Sequence, residues 1–432
     1  MKGRSTRMLV AWVAGCGALG ALGPVLTACS DSEGGLTPCA CGPDAICDGG
    51  VCVPAPAEPE PGTGMQTRVA RLEDGRLVAV TRQPTTRRLE LVVFGQDGGV
   101  VARHLLGTRT DADAGGGHED GGWWPSVAVA GETIHVVWRD AAQGRLLYAK
   151  GRAESGFGAV GIIDGDGPAD VGTHTSLAVG TDGSVHVAYR DETARSLKYA
   201  VQAPAGEWRV MAVPPCAGET NCPVVGREDA GTFTSIVLVP AAGGAETPRI
   251  AFRDELRGDL KLAARVGNGD AFDWQVTTLD GRDETTGADT GDVGRFASLA
   301  LTPSRNLAVV YLDETRGALR ALTPGNPART LDDGVVLAAD GRRLGSFVGQ
   351  FARLQIDADG TWHVLHLDAS RFVWKYVSIA GEQVERVEAL EALRPGGWLD
   401  FRVQDGVLTG AYGAFEAVGS LVTRLQWFEV QP

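Results

Sequence analysis

The chain repeats itself, and no other feature limits its fold as strongly. Ser126-Val-Ala-Val-Ala-Gly-Glu-Thr-Ile-His-Val-Val-Trp-Arg139-Asp140 aligns with Ser176-Leu-Ala-Val-Gly-Thr-Asp-Gly-Ser-Val-His-Val-Ala-Tyr-Arg190-Asp191. Further copies run from Ser235 to Arg253-Asp254, from Ser298 to Asp313, and in a more worn form to Asp368. A first copy passes through Leu77 to Arg82 and a last one from Trp398 to Tyr412, which makes seven units. Successive Asp140, Asp191, Asp254, Asp313 and Asp368 stand 51, 63, 59 and 55 residues apart, a variation that belongs in loops. A period near fifty residues implies supersecondary units that cannot bury their faces alone.

Within each unit, short alternating apolar runs are broken by Asp-Gly, Gly-Asn or Pro, and no window sustains a helical period. Each unit is therefore expected to be a small antiparallel sheet. The 60 glycines and 21 prolines agree with many turns. Seven sheets bury both faces most simply by packing radially about an axis, so residues 65–432 are expected to form an all-β, seven-bladed β-propeller, with six or eight blades as the nearest alternatives. A linear solenoid would need coils about half this length. The last unit lacks residues for an outer strand, and no N-terminal segment is evident to supply one.

A second signature precedes the inner strand of four units, running from Asp120 to Ser126, Asp170 to Ser176, Asp229 to Ser235 and Asp292 to Ser298, each as Asp-x-Gly-x-x-x-Ser. In an up-and-down sheet the start of the first strand and the end of the second share one edge. Asp120, Asp170, Asp229 and Asp292 should therefore ring one channel mouth with Arg139-Asp140, Arg190-Asp191, Arg253-Asp254, Asp313 and Asp368. Two readings follow. Each Arg pairs with an Asp of its own or the next blade while Asp-x-Gly caps its turn; or the crowded carboxylates bind a cationic or hydroxyl-rich ligand. Calcium is a further candidate, since Asp111-Ala-Asp113, Asp164-Gly-Asp166 and the stretch from Asp280 to Asp292 add acid to these loops, yet none completes a calcium-loop pattern. Trp123 and Trp124 lie in one such loop and could stack on a sugar face or plug the channel. His135, His186 and His363 recur five residues before each unit's Asp, which marks packing. No nucleophile elbow, phosphate loop or His-Glu-x-x-His is present, so no catalytic set is assigned.

The N-terminus reads as an address. Lys2, Arg4 and Arg7 precede an apolar run from Met8 to Leu22 and then Leu26-Thr27-Ala28-Cys29. That tetrad resembles the lipobox of bacterial lipoproteins. The resemblance implies a signal peptide over residues 1–28, lipidation of Cys29, and, with Ser30 following, an outer-membrane anchor without a spanning helix. Export permits disulfides, and Cys39, Cys41, Cys47, Cys52, Cys216 and Cys222 then remain as an even set. Residues 29–52 are expected to form a small Cys-rich module, whose Cys-Gly-Pro-Asp-Ala-Ile-Cys resembles a fragment of an EGF-like repeat. Residues 53–64 are a Pro-rich spacer. The formal charge is −14, and the first 28 residues hold three cations and no acid, so the exported part is more acidic still; general nucleic-acid binding is excluded.

The units resemble the repeats of exported bacterial β-propeller proteins, some similar to sialidase and lectin propellers. Sialidase Asp-boxes of the form Ser-x-Asp-x-Gly-x-Thr-Trp are absent, and neither the arginine triad nor the Tyr/Glu pair can be placed. The resemblance thus implies a non-catalytic lipoprotein that binds a polysaccharide or protein, with a glycan hydrolase or lyase and a purely structural envelope protein as alternatives.

Overall fold

The structure is a computed structural model that describes residues 45–48, 51–54, 63–64, 66–107, 120–204, 206–215, 229–241, 244–268, 271–283, 286–337, 341–381, 383–416 and 422–432. Alternating apolar runs become antiparallel strands throughout, and no helix occurs among the described residues. The third unit shows the plan: Val171–Val179, Val185–Asp191, Ser196–Gln202 and Trp208–Val213 pair in that order from the axis outward. The other innermost strands are Arg68–Arg71, Trp123–Ala130, Ala230–Pro240, Val293–Leu301, Val348–Ile356 and Gly396–Gln404. Each packs against the next, and Gly396–Gln404 packs against Arg68–Arg71, so the seven blades close into a propeller.

Radial packing gives every blade two buried faces. Between the third and fourth blades, Tyr199 and Val213 meet Ile250, Phe252 and Trp274 in one apolar layer, and similar layers fill the other joints. His135, His186 and His363 each face a third-strand tyrosine of their own blade, with Nδ1 2.8, 2.5 and 2.8 Å from the hydroxyls of Tyr148, Tyr199 and Tyr376. Their packing role follows from that repetition.

The seventh blade has three strands, Gly396–Gln404, Val407–Phe415 and Thr423–Val430. Among the described residues no N-terminal strand joins it. Thr63 and Gly64, at the end of the expected spacer, are instead tied to this blade: Thr423 Oγ1 donates to the Thr63 carbonyl at 2.8 Å, and Leu425 N–H to Thr63 Oγ1 at 3.1 Å. A Cβ on Gly64 would lie 2.5 Å from the Gly413 Cα, so the chain can pass here only as glycine. Upstream, Ala45–Asp48 and Val51–Pro54 form a hairpin in which Cys47 and Cys52 stand opposite each other. Cys29, Cys39, Cys41, Cys216 and Cys222 lie outside the described residues, as do the signal segment, Asp111 and Asp113.

Candidate functional site

The second strands end, and the inner strands begin, on one face of the wheel, and the predicted residues meet there as salt bridges across blade joints. Arg82 Nη2 lies 2.5 Å from Asp120, Arg139 Nη2 2.6 Å from Asp170, and Arg190 Nη2 2.8 Å from Asp229, while Arg253 Nη1 reaches Asp292. In every case the guanidinium comes from one blade and the carboxylate from the next. The residues vanish together where the pattern stops: Leu312 replaces the arginine where Phe347 replaces the aspartate, and Leu367 where Arg394 does. Arg253 is 2% exposed; burial opposes its charge, but hydrogen bonds to Asp292 and Glu255 prevail and its pKa is raised. At Asp120 too, burial is outweighed, here by the Arg82 hydrogen bond, and the carboxyl is held below its usual range.

The second set of aspartates caps turns. Asp140 accepts from the N–H groups of Asp120 and Ala142, Asp191 from Ala194, Asp254 from Leu256, Asp313 from Arg316, and Asp368 from Ser370 and Arg371. All five are buried. The rim therefore exists, but its carboxylates are largely consumed in holding it, leaving Asp170 and Asp292 as its most open acids, each with 45% of its side chain exposed. The loop acids serve likewise. Asp164 binds Lys198 and the Tyr189 hydroxyl, and Asp280 binds Arg320 and the Tyr311 hydroxyl. Among the described residues no group of three or more His, Cys, Asp or Glu is arranged to hold a metal ion.

Inside this rim lies a ring that the sequence reading did not single out. Gln66, Trp124, His174, Phe233, Phe296, Phe351 and Trp398 occupy one equivalent position per blade, and all seven have φ between 49° and 55°. That left-handed conformation costs a bulky residue on the order of 1 kcal/mol or more and persists only where its surroundings enforce it. A glycine stands two residues earlier in every blade, from Gly64 to Gly396. A Cβ on Gly231 would meet the Leu197 Cα of the preceding blade at 2.9 Å, so the close joint demands glycine and the following turn throws the next side chain inward. Ring centroids are 3.9 Å apart for Trp124–His174, 5.0 Å for His174–Phe233, 4.9 Å for Phe233–Phe296 and Phe296–Phe351, and 5.4 Å for Phe351–Trp398. The last four pairs are inclined by 53–59°, near the ~51° that seven-fold rotation imposes. All six rings remain partly exposed. Gln66 completes the circle, its Oε1 accepting the Trp124 N–H at 2.5 Å. Burial, reinforced by Arg190 and Arg68 against Glu192 and Glu255, drives His174 down to about 3, and the neutral ring accepts the Phe233 N–H on Nδ1 at 3.0 Å. The signal was available: Gly-x-aromatic lies inside each of the four Asp-to-Ser motifs. Of the two tryptophans singled out, Trp124 joins this ring, whereas Trp123 lies under the Arg82 guanidinium, 4.4 Å from its centroid.

The serine ending each motif forms an inter-blade strap. Ser126, Ser176, Ser235 and Ser298 Oγ accept the N–H groups of Leu177, Ile236, Leu299 and Leu354 in the following blades at 3.0–3.1 Å. Asp400 occupies this position in the seventh blade, and its Oδ2 accepts the Val69 N–H of the first at 2.9 Å, which locks the ring shut.

No family model and no curated protein matches the sequence. Among solved structures, the chain is similar to the BP39L lectin from Burkholderia pseudomallei, at 10% identity and a TM-score of 0.57 over 85% of this chain and 96% of that one. It is also similar to the polysaccharide lyase Uly1, at 12% identity and a TM-score of 0.48 over 84% and 89%. At such identity the likeness shows the fold alone: this chain is a seven-bladed β-propeller.

Proposed function

We propose that this protein is a cell-envelope lipoprotein, anchored in the outer membrane through Cys29, whose propeller binds a polysaccharide at the channel mouth without cleaving it. The observation carrying this reading is the ring of six partly exposed aromatic side chains inside a rim with open carboxylates at Asp170 and Asp292. Aromatic faces suit the apolar faces of sugar rings, and carboxylates accept from hydroxyls. Binding is favoured over hydrolysis because the rim carboxylates recur blade by blade as structural pairs, whereas glycoside cleavage needs two carboxyls set apart by environment.

The test is a glycan array probed with the mature chain, followed by titration of positive glycans with tryptophan fluorescence and assay for released product. Gln66 shows that glutamine is accommodated at the ring position, so Phe296→Gln with Phe351→Gln should fold and weaken binding at least ten-fold. Unchanged affinity, or turnover of the bound glycan, overturns the reading. Cys29→Ser should move the protein into the soluble fraction; retention in the membrane pellet refutes the anchor.

A further inference from the structure

Alternate residues of each inner strand face the channel, so the strap position lies one layer below the aromatic ring. Four blades place serine there, but three consecutive ones do not: the sixth, seventh and first carry Arg353, Asp400 and Arg68. One layer further down, where Ala70, Ala128, Ala178 and Ala300 stand in other blades, the seventh places Arg402. Two of these guanidiniums lie near one carboxylate, whose charge, with those of Arg353 and Arg402, also acts on Arg68. Arg353 Nε lies 3.9 Å and Arg402 Nη1 3.5 Å from Asp400 Oδ1. That carboxylate is already engaged by the N–H groups of Val69 and Phe401.

Each arginine spends one N–H on the carbonyl preceding it, to Thr67 at 2.9 Å, Ala352 at 3.2 Å and Phe401 at 2.7 Å. Arg353 Nε is buried without a hydrogen-bond partner. All three residues are only partly exposed. Burial and the Arg353 charge push Arg68 down to about 9, with Asp400 opposing, so the group remains cationic at neutral pH. Two positive charges are left uncompensated inside a protein whose formal charge is −14. In the layer below, Ala128, Ala178 and Ala300 are partly exposed, alongside Val237 and Gln355 of the fourth and sixth blades.

We propose that Arg68, Arg353 and Arg402 form an oxyanion-binding site in the central channel, which takes a small carboxylate or phosphate by forked guanidinium hydrogen bonds. The planar fork matches both acceptors, and the site lies below the aromatic ring of the mouth.

The substitutions that test it are Arg353→Ser and Arg68→Ser, each restoring the residue the repeat uses elsewhere. Ser at 353 falls where four blades make a strap, with the Phe401 N–H at the donor's equivalent place, so folding is expected to survive. The mature chain is titrated calorimetrically with inorganic phosphate and, separately, with acetate, at ionic strength held constant with chloride, and its melting is followed in the same solutions. The expected result is one site per chain, a raised melting temperature with anion, and at least a ten-fold loss of affinity in both variants, which without anion melt no lower than the parent. Binding of phosphate alone would define the ligand as a phosphate-like dianion, and binding of both would extend it to carboxylates. Absence of binding to either at millimolar concentration, retention of affinity in Arg353→Ser, or a variant that melts well below the parent without anion overturns the proposal.

Discussion

Asp400→Asn isolates the charge that closes the ring. Asparagine keeps an oxygen to accept the Val69 N–H, so the strap between the last and first blades survives while the carboxylate beside the Arg353 and Arg402 guanidiniums disappears. At an effective dielectric of about 20, separations of 3.9 and 3.5 Å correspond to roughly 4 and 5 kcal/mol of gross attraction. Part of that is returned because the carboxylate, 6% exposed, no longer needs desolvating. Removing one partner of such a buried set costs about 3–5 kcal/mol net. For a wheel of about 370 residues, an unfolding entropy of about 2.1 cal/mol/K per residue converts 4 kcal/mol into a melting temperature about 5 °C lower. The assay is scanning calorimetry in chloride buffer at neutral pH. Combining Asp400→Asn with Arg353→Ser should recover part of the loss, because one uncompensated guanidinium goes with the carboxylate. A shift under about 1 °C in Asp400→Asn, or a double variant less stable than the sum of the singles, would refute the electrostatic argument.

Other outcomes follow from the same geometry. Ser235→Ala leaves the buried Leu299 N–H without an acceptor and should cost about 1–3 kcal/mol in urea denaturation, whereas an exposed serine such as Ser304 replaced by alanine should cost almost nothing. Asp259 is wholly buried with neither carboxyl oxygen hydrogen-bonded, and burial pushes it up to about 6. Its folded pKa exceeds the unfolded value, so it weakens the fold as pH rises from about 4 through 6; Asp259→Asn should raise the melting temperature at pH 7.5 and leave it nearly unchanged at pH 4. His135, His186 and His366 are driven by burial down to about 4, and His174 to about 3. Between pH 6.5 and 4 the unfolded chain binds more protons at these sites, so stability should fall as pH falls through that window. His186→Gln should flatten the slope, and an unchanged slope in calorimetric melts would count against it.

Much of the wheel is legible before folding because its information is periodic. Repeated Arg-Asp dipeptides reveal the second-strand ends, and Asp-x-Gly-x-x-x-Ser the inner-strand starts. What stayed hidden is the allocation of each polar group between structure and ligand. Asp191 and Asp254 look like rim ligands in the sequence, yet register sends them inward to cap turns, 6% and 4% exposed. The same Gly-x-aromatic triplet that reads as turn chemistry becomes a ring only when seven left-handed residues converge on an axis.

The sequence by itself determined the repeat and the antiparallel blades built on it, because those depend on spacing along the chain, whereas it left each arginine to pair within its own blade or with the next. Only the tertiary structure decided which residues meet across the axis. Arg68 and Asp400 are 332 positions apart and become neighbours solely because the ring closes, and the charge imbalance they share has no trace in any single repeat. Local periodicity encodes each blade, but the environment at the centre is a sum over all seven, and that sum exists only after closure.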